Sequence, residues 1–148
     1  MVKIYYLKIF TLLDKQQIDE LSAQLAQSPS ARDAQKALAR EVTTIVHGKA
    51  RTESVERVTS VLFGNADFST LETADLDMLA SEIPVVATGK SLIEILVGSG
   101  LATSNGEARR LITSGAITIS SQKVTEGRQI INDTCLIKKG KNSFVLVR

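Results

Sequence analysis

KSLIEILVGSGLATSNGEARRLITSGAITISSQKV, residues 90–124, is the stretch whose patterning decides the fold. Ser91 and Glu94 are spaced as a capping box, a Ser side chain and a carboxylate satisfying the first free N–H groups of a helix. They open a short helix over SLIEILVGSG, closed by Gly98 or Gly100. Ser104 and Glu107 repeat the spacing and open a second helix, SNGEARRLITSG, closed by Gly115. Ala108, Leu111 and Ile112 form its inward face; Arg110 projects opposite and Arg109 lies on the flank. AITIS (116–120) alternates like a strand, and Ser121-Gln122 offers a turn before Lys123-Val124. Further on, TCLIKK and SFVLVR flank Gly140-Lys141-Asn142, the pattern of a hairpin. The expectation is two short helices packed on a small, mostly antiparallel sheet.

Upstream the pattern is helical. Tyr6, Phe10 and Leu13 predict a short buried helix within residues 2–13. Asp14 and Gln17 form a capping box ahead of Ile18, Leu21 and Leu25. Ser28-Pro29-Ser30 breaks that helix, and Ser30 with Asp33 caps the next, which carries Ala34, Leu38, Val42 and Ile45 and stops after His47 at Gly48. A further helix over 51–63 places Val55, Val58 and Leu62 inward and ends at Gly64; a last one starts at Thr73 with Leu76 and Leu79 and ends at Pro84. The predicted class is α+β: a helical module over 1–82, a linker over 83–89, and a helix-and-sheet domain over 90–148.

Hydrophobic residues are 43% and charged residues 23% of 148, a globular balance. One Cys (Cys135) excludes an intramolecular disulfide and a Cys-rich zinc site and fits a reducing compartment. One His (His47) leaves no set for a His metal cage or a Ser-His-Asp triad, and its place in a final helical turn suits a cap or packing role. No run of about 18 apolar residues is present, so no membrane span is expected. MVKIYYLKIFTLL is interrupted by Lys3 and Lys8 and lacks a cleavage pattern, so it is not read as a signal peptide.

The net charge of +2 conceals an asymmetry. Residues 1–87 hold 9 basic and 12 acidic side chains, a balance of −3; residues 88–148 hold 9 basic and 4 acidic, a balance of +5. Lys90, Arg109, Arg110, Lys123, Lys138, Lys139 and Lys141 cluster around one helix pair and its sheet. The helix start at Ser104-Asn105-Gly106 also offers free N–H groups to a phosphate. An anionic partner, RNA, is the reading this favours. Only Phe144 is aromatic in the basic part, so contact runs through phosphates and shape rather than base stacking. Arg32, Lys36 and Arg40 are spaced four apart on the long upstream helix. They could track phosphates, although a solvated face paired to Asp33 and Glu41 is the simpler reading.

Residues 90–124 resemble the S-four RNA-binding domain: a basic residue before a first helix, a Ser-led second helix with Glu-Ala-Arg-Arg-Leu-Ile, a Gly, and a strand ending in a tight turn. Two positions depart from that pattern. Ser120-Ser121 stands where Asn-Gly is common, weakening the turn, and Asn105 stands where a basic residue is common. The surrounding sequence is similar, in order, to bacterial tyrosyl-tRNA synthetases. YLKIFTLLDKQQIDEL (6–21) resembles the segment after their catalytic domain. ARDAQKALAREVTTIVHG (31–48) and VTSVLFG (58–64) resemble their anticodon-binding helices, and KKGKNSFVLVR resembles their end.

The resemblance implies a tRNA-holding module. The helical part would lie near the anticodon stem and loop, and the S-four part at the junction with the long variable arm of bacterial tyrosine tRNA. The implied contacts are Lys90, Ser104, Asn105, Arg109, Arg110, Ser120, Gln122, Lys123, Lys138, Lys139 and Lys141, with Arg32, Lys36 and Arg40 on the helical part. The His-Ile-Gly-His-like and Lys-Met-Ser-Lys-Ser motifs that bind ATP in such enzymes are not in this sequence. The chain is therefore expected to be a C-terminal portion beginning at an added Met1, inactive alone as a ligase. ATP and tyrosine would serve only the catalytic domain, and no cofactor or metal is expected here. A cytoplasmic monomer is expected, the whole enzyme being a homodimer, with no membrane or DNA partner. Two other readings are a free-standing S-four protein on ribosomal RNA, and a helical protein-interaction module with a basic, solvated tail.

Overall fold

The computed structural model describes residues 4–148. Among them are helices α1 (Tyr5–Phe10), α2 (Lys15–Gln27), α3 (Asp33–His47), α4 (Lys49–Phe63), α5 (Thr73–Glu82), α6 (Leu92–Gly98) and α7 (Asn105–Thr113). The strands are β1 (Val85–Val86), β2 (Lys90–Ser91), β3 (Ile117–Ile119), β4 (Gln122–Lys123), β5 (Ile130–Ile131), β6 (Cys135–Lys139) and β7 (Ser143–Val147). The chain divides into two compact units, Met1–Ser54 and Val55–Arg148.

In the first unit Leu7, Ile18 and Ala34 form the core, with Leu21, Leu25 and Leu38 packed against it. The Asp14–Gln17 capping box is present, each side chain taking the other residue's N–H. Other local expectations give way. The proposed start of the first helix at residue 2 lies outside the described residues. Within α1 it is Leu7 that is buried, while Tyr6 and Phe10 are exposed. Ser30 does not cap α3, because Pro29–Ala31 forms a separate turn of 3-10 helix. The residue before α3 is Arg32, in the left-handed region at φ 59°. Gly48 ends α3 as expected, at φ 82° with its N–H on the Thr44 carbonyl.

In the second unit the strand order is β1-β7-β6-β3-β4, with β1 parallel to β7 and the other pairings antiparallel; β2 and β5 form a separate ribbon. Side chains alternate across the sheet. Ile117, Cys135, Ile137, Val145 and Val147 face α6 and α7, whose Leu92, Ile95, Leu96, Ala108 and Ile112 complete that core. Leu136, Phe144 and Leu146 face the other way, against Val58, Val61 and Leu79 of α4 and α5. The helices of 55–82 thus cover the sheet's second face. The compact units divide at 54/55, and within residues 83–89, the expected linker, Val85–Val86 adds an edge strand to β7. Of the inward set expected on α4, Val58 is buried but Val55 is exposed, and Val61 takes its place. Burial, and secondarily Asp133, pushes the Cys135 thiol up to about 11, so it serves as a small protonated packing group.

The β3–β4 turn is Ser120-Ser121, one residue earlier than the alternation suggested, because Ile119 pairs with Gln122. Both serines take positive φ, 44° and 72°. A two-residue hairpin turn of this kind favours Asn-Gly, since L side chains resist the left-handed region. Ser120→Asn with Ser121→Gly should therefore stabilise the fold by about 1 kcal/mol. A higher urea midpoint at unchanged slope would register the gain; an unchanged or lower midpoint would show that the turn carries no such strain.

Candidate nucleic-acid interface

The site is built around α7. Ser104 is extended, and its Oγ accepts the Glu107 N–H at 3.2 Å. The reciprocal half of the expected box is shifted by one residue. Glu107 Oε2 accepts from the Thr103 N–H at 2.7 Å and the Thr103 hydroxyl at 2.6 Å. These bonds, the hydroxyl's first, hold the Glu107 carboxyl below its ordinary range, with a smaller contribution from Lys139. At α6 the Ser91–Glu94 box is as expected, and the Ser91 hydroxyl and N–H lower Glu94 in the same way, Lys90 adding slightly. Both caps are thus at full strength above the ordinary glutamate range and weaken as pH falls through the lowered values. Asn105 and Gly106 lie exposed in the first turn of α7, and a Cβ on Gly106 would meet only Ser104 Oγ, at 3.8 Å. The α7 start is therefore sterically open.

Arg109 and Arg110 are exposed on α7. Gly115 turns the chain at φ 69°, and Lys123 Cδ lies 3.9 Å from where a Gly115 Cβ would sit. The Lys123 side chain therefore passes close to the turn that follows α7. Ser120, Gln122 and Lys123 line a shallow cleft of about 520 Å³ that also includes Asp67 and Glu126. Lys90 is exposed on β2, opposite Ile131, and Lys141 stands at the tip of the β6–β7 hairpin.

The cations fall into two sets. Lys90, Arg109, Arg110, Lys123, Arg128 and Lys141 are exposed and make no ion pair or side-chain hydrogen bond among the described residues. Lys138 and Lys139, also expected as RNA contacts, each make a hydrogen bond within the fold. Lys138 donates to the Leu62 carbonyl at 2.8 Å and lies 5.3 Å over the Phe144 ring, on the α4 side of the sheet. Lys139 donates to the Leu101 carbonyl at 2.7 Å and sits 3.6 Å from Glu107. Strand alternation sends the two neighbours to opposite faces, where each ties a helical layer to β6. Lys139→Met should accordingly lower stability, by about 1–2 kcal/mol for a lost charge-assisted hydrogen bond, and leave the salt dependence of RNA binding unchanged. A denaturation midpoint measured beside a salt titration separates the two roles; an altered salt dependence at constant stability would restore Lys139 to the interface.

On the first unit Arg32 precedes α3 rather than riding on it, so the three-cation stripe is shorter than its spacing implied. Lys36 is 3.8 Å from Asp33, the ion pair of the simpler reading, and Arg40 is also engaged. Arg128 was not among the expected contacts, since nothing in TEGRQ marks it as more than a loop residue. Among the described residues no helix is long and apolar enough to cross a membrane.

Residues 75–148, half of the chain, match the family model described as the tyrosine–tRNA ligase SYY-like C-terminal domain. The chain belongs to this family. The matched region of the SYY-like C-terminal domain starts at Asp75, inside α5, and includes the whole sheet with α6 and α7. Among similar curated proteins is a tyrosine–tRNA ligase of Corynebacterium diphtheriae, 37% identical over 99% of this chain and 38% of its own length. That of Corynebacterium efficiens is 34% identical over 98% of this chain and 37% of its own. Tyrosine–tRNA ligase 2 of Bacillus cereus is 35% identical over 98% and 37%. The chain thus spans little more than a third of the length of these relatives. A solved structure titled as the solution structure of a tyrosyl-tRNA synthetase C-terminal domain covers 58% of this chain and 97% of its own, at 23% identity and a TM-score of 0.44.

Proposed function

We propose that this chain is a tRNA-holding module that positions tyrosine tRNA for aminoacylation by a ligase of the kind its relatives are named for. The observation that carries the reading is the sorting of cations. Arg109 and Arg110 on α7 and Lys123 near the turn after it are exposed and uncommitted, as are Lys90 and Lys141, while Lys138, Lys139 and Arg148 are tied to carbonyls or carboxylates. An arginine fork matches phosphate oxygens bidentately and a lysine supplies a point charge. Asn105 and the open start of α7 add hydrogen-bond donors, and Ser120 and Gln122 border the same surface at Lys123. The second unit would track the backbone where the anticodon stem meets the long variable arm, and the helical unit, through Arg32, Lys36 and Arg40, would add a weaker contact near the anticodon stem and loop.

In this reading tyrosine activation, with its ATP and tyrosine, belongs to the remaining length of the ligase. The module acts in the cytoplasm as a monomer, and the whole ligase pairs through its catalytic part. A competition filter assay tests the assignment. Labelled tyrosine tRNA bound to the chain should be displaced by unlabelled tyrosine tRNA, and far less by a tRNA with a short variable arm or by ribosomal RNA fragments. Better displacement by ribosomal fragments would favour the free-standing ribosomal reading, and no retention of RNA would favour a protein partner.

A further inference from the structure

We propose that Arg128 is an additional phosphate contact of the same RNA, held there by a loop that crosses the seam between α6 and α7. This rests on the tRNA-holding reading. The path of residues 123–131 carries the argument. It leaves β4 at Lys123, beside the Gly115 turn at the end of α7. Val124 packs into the α6–α7 core, and its N–H bonds the Ile117 carbonyl at 3.3 Å. At Gly127 the backbone lies directly on both helices: a Cβ there would come within 3.1 Å of Ile112 Cδ1 on α7 and of Ile93 Cδ1 on α6. The Gln129 carbonyl then accepts the Leu92 N–H at 3.0 Å, and Ile130 and Ile131 pair with Ser91 and Lys90.

Arg128 is thus fixed between two anchors, the Gly127 crossing and the Gln129 hydrogen bond. On α7, Ile112 is one helical turn on from both buried Ala108 and exposed Arg109, so the crossing covers the inward face that Arg109 flanks. The segment therefore runs from Lys123 at the end of α7, past Arg128, to Lys90 at the start of α6. Arg128 bridges what would otherwise be two separate basic spots. It is exposed and, among the described residues, makes no ion pair or side-chain hydrogen bond. The acidic groups along this path are Glu126 and Asp133 on the segment and its continuation, Asp67, which lines the cleft beside Lys123 and accepts the Ser69 N–H, and Glu94, whose carboxylate is taken by Ser91. An anchored backbone removes the cost of ordering the loop on meeting a phosphate and leaves only the side chain's own rotamer cost, which suits a positioning contact.

The test is Arg128→Gln in the full chain, with tyrosine tRNA binding measured across a salt series. The expected result is a roughly three- to tenfold weaker Kd near 0.1 M salt, with the slope of log K against log salt shallower by about one. Thermal unfolding should be unchanged, and Arg128→Lys should recover the slope but only part of the affinity. Unchanged Kd and slope in Arg128→Gln, while loss of Arg109, Arg110 and Lys123 does weaken binding, would overturn this contact and leave the tRNA-holding reading intact. Wild-type chain that shows no salt-dependent binding would overturn both.

Discussion

Replacing Arg109, Arg110 and Lys123 together by Ala is expected to weaken tyrosine tRNA binding on the order of 100-fold near 0.1 M salt, and to reduce the slope of log K against log salt by about two to three. The size follows from counterion release: each phosphate neutralised by a cation contributes about 0.9 to that slope. All three side chains are exposed and none holds the fold together through an ion pair, so circular dichroism and the unfolding midpoint should match the wild type. Filter binding at four or five salt concentrations checks the effect. Unchanged affinity with intact folding would mean that the RNA, if bound, lies elsewhere on the molecule.

The largest expected effect on stability comes from Asp75→Ala. Asp75 is fully buried, at 0% exposure, at the start of α5. Arg57 on α4 meets it with a two-pronged pair, Nε to Oδ2 at 2.8 Å and Nη2 to Oδ1 at 3.0 Å. The Glu72 N–H adds a third bond to Oδ2 at 2.9 Å. Removing the carboxylate leaves a partly buried guanidinium and a helix-start N–H without this partner. Breaking a buried pair on one side costs about 3–5 kcal/mol, and the lower end applies because the Arg57 side chain is 34% exposed. In a unit of this size about 3 kcal/mol lowers the Tm by more than roughly 10 °C. Thermal unfolding followed by circular dichroism measures it. A Tm within about 2 °C of the wild type would show that the clip between α4 and α5 does not hold the helical layer on the sheet. The double change Arg57→Met with Asp75→Leu should recover part of the loss, since no charge is then stranded.

Much of the α6–α7 layer is legible from the sequence, because capping boxes and a helix-ending glycine are local signals. Ser91, Glu94, Ser104 and Gly115 stand where their spacing predicts, and Ala108 and Ile112 face inward. The second sheet face leaves a weaker local signal. FVLV (144–147) is continuously apolar, the mark of a strand covered on both sides. Phe144 and Leu146 need a second layer, which α4 and α5 supply. That pairing joins residues roughly 65 to 90 apart in the sequence, and no spacing rule within one helix reveals it. The same distance hides the use of Lys138, whose partner is the Leu62 carbonyl. In α1 the regular Tyr6–Phe10 spacing misled, because Leu7 and not the aromatic residues reaches Ile18 and Ala34. Within the candidate interface, the helix arginines could be read from periodicity, whereas Arg128 is placed by the Gly127 crossing and the Gln129 hydrogen bond, neither of which leaves a pattern in the chain.

In the proposed reading the α7 face holds a long-armed tRNA through its phosphates. The most direct measurement is the equilibrium affinity of the unaltered chain for tyrosine tRNA, between about 0.05 and 0.3 M salt, beside a tRNA with a short variable arm. The expected result is a linear fall of log K with log salt, with a slope of about −3 to −5 for tyrosine tRNA, and weaker binding with a shallower slope for the short-armed one. Equal affinity for the two, or a slope near zero, would contradict it.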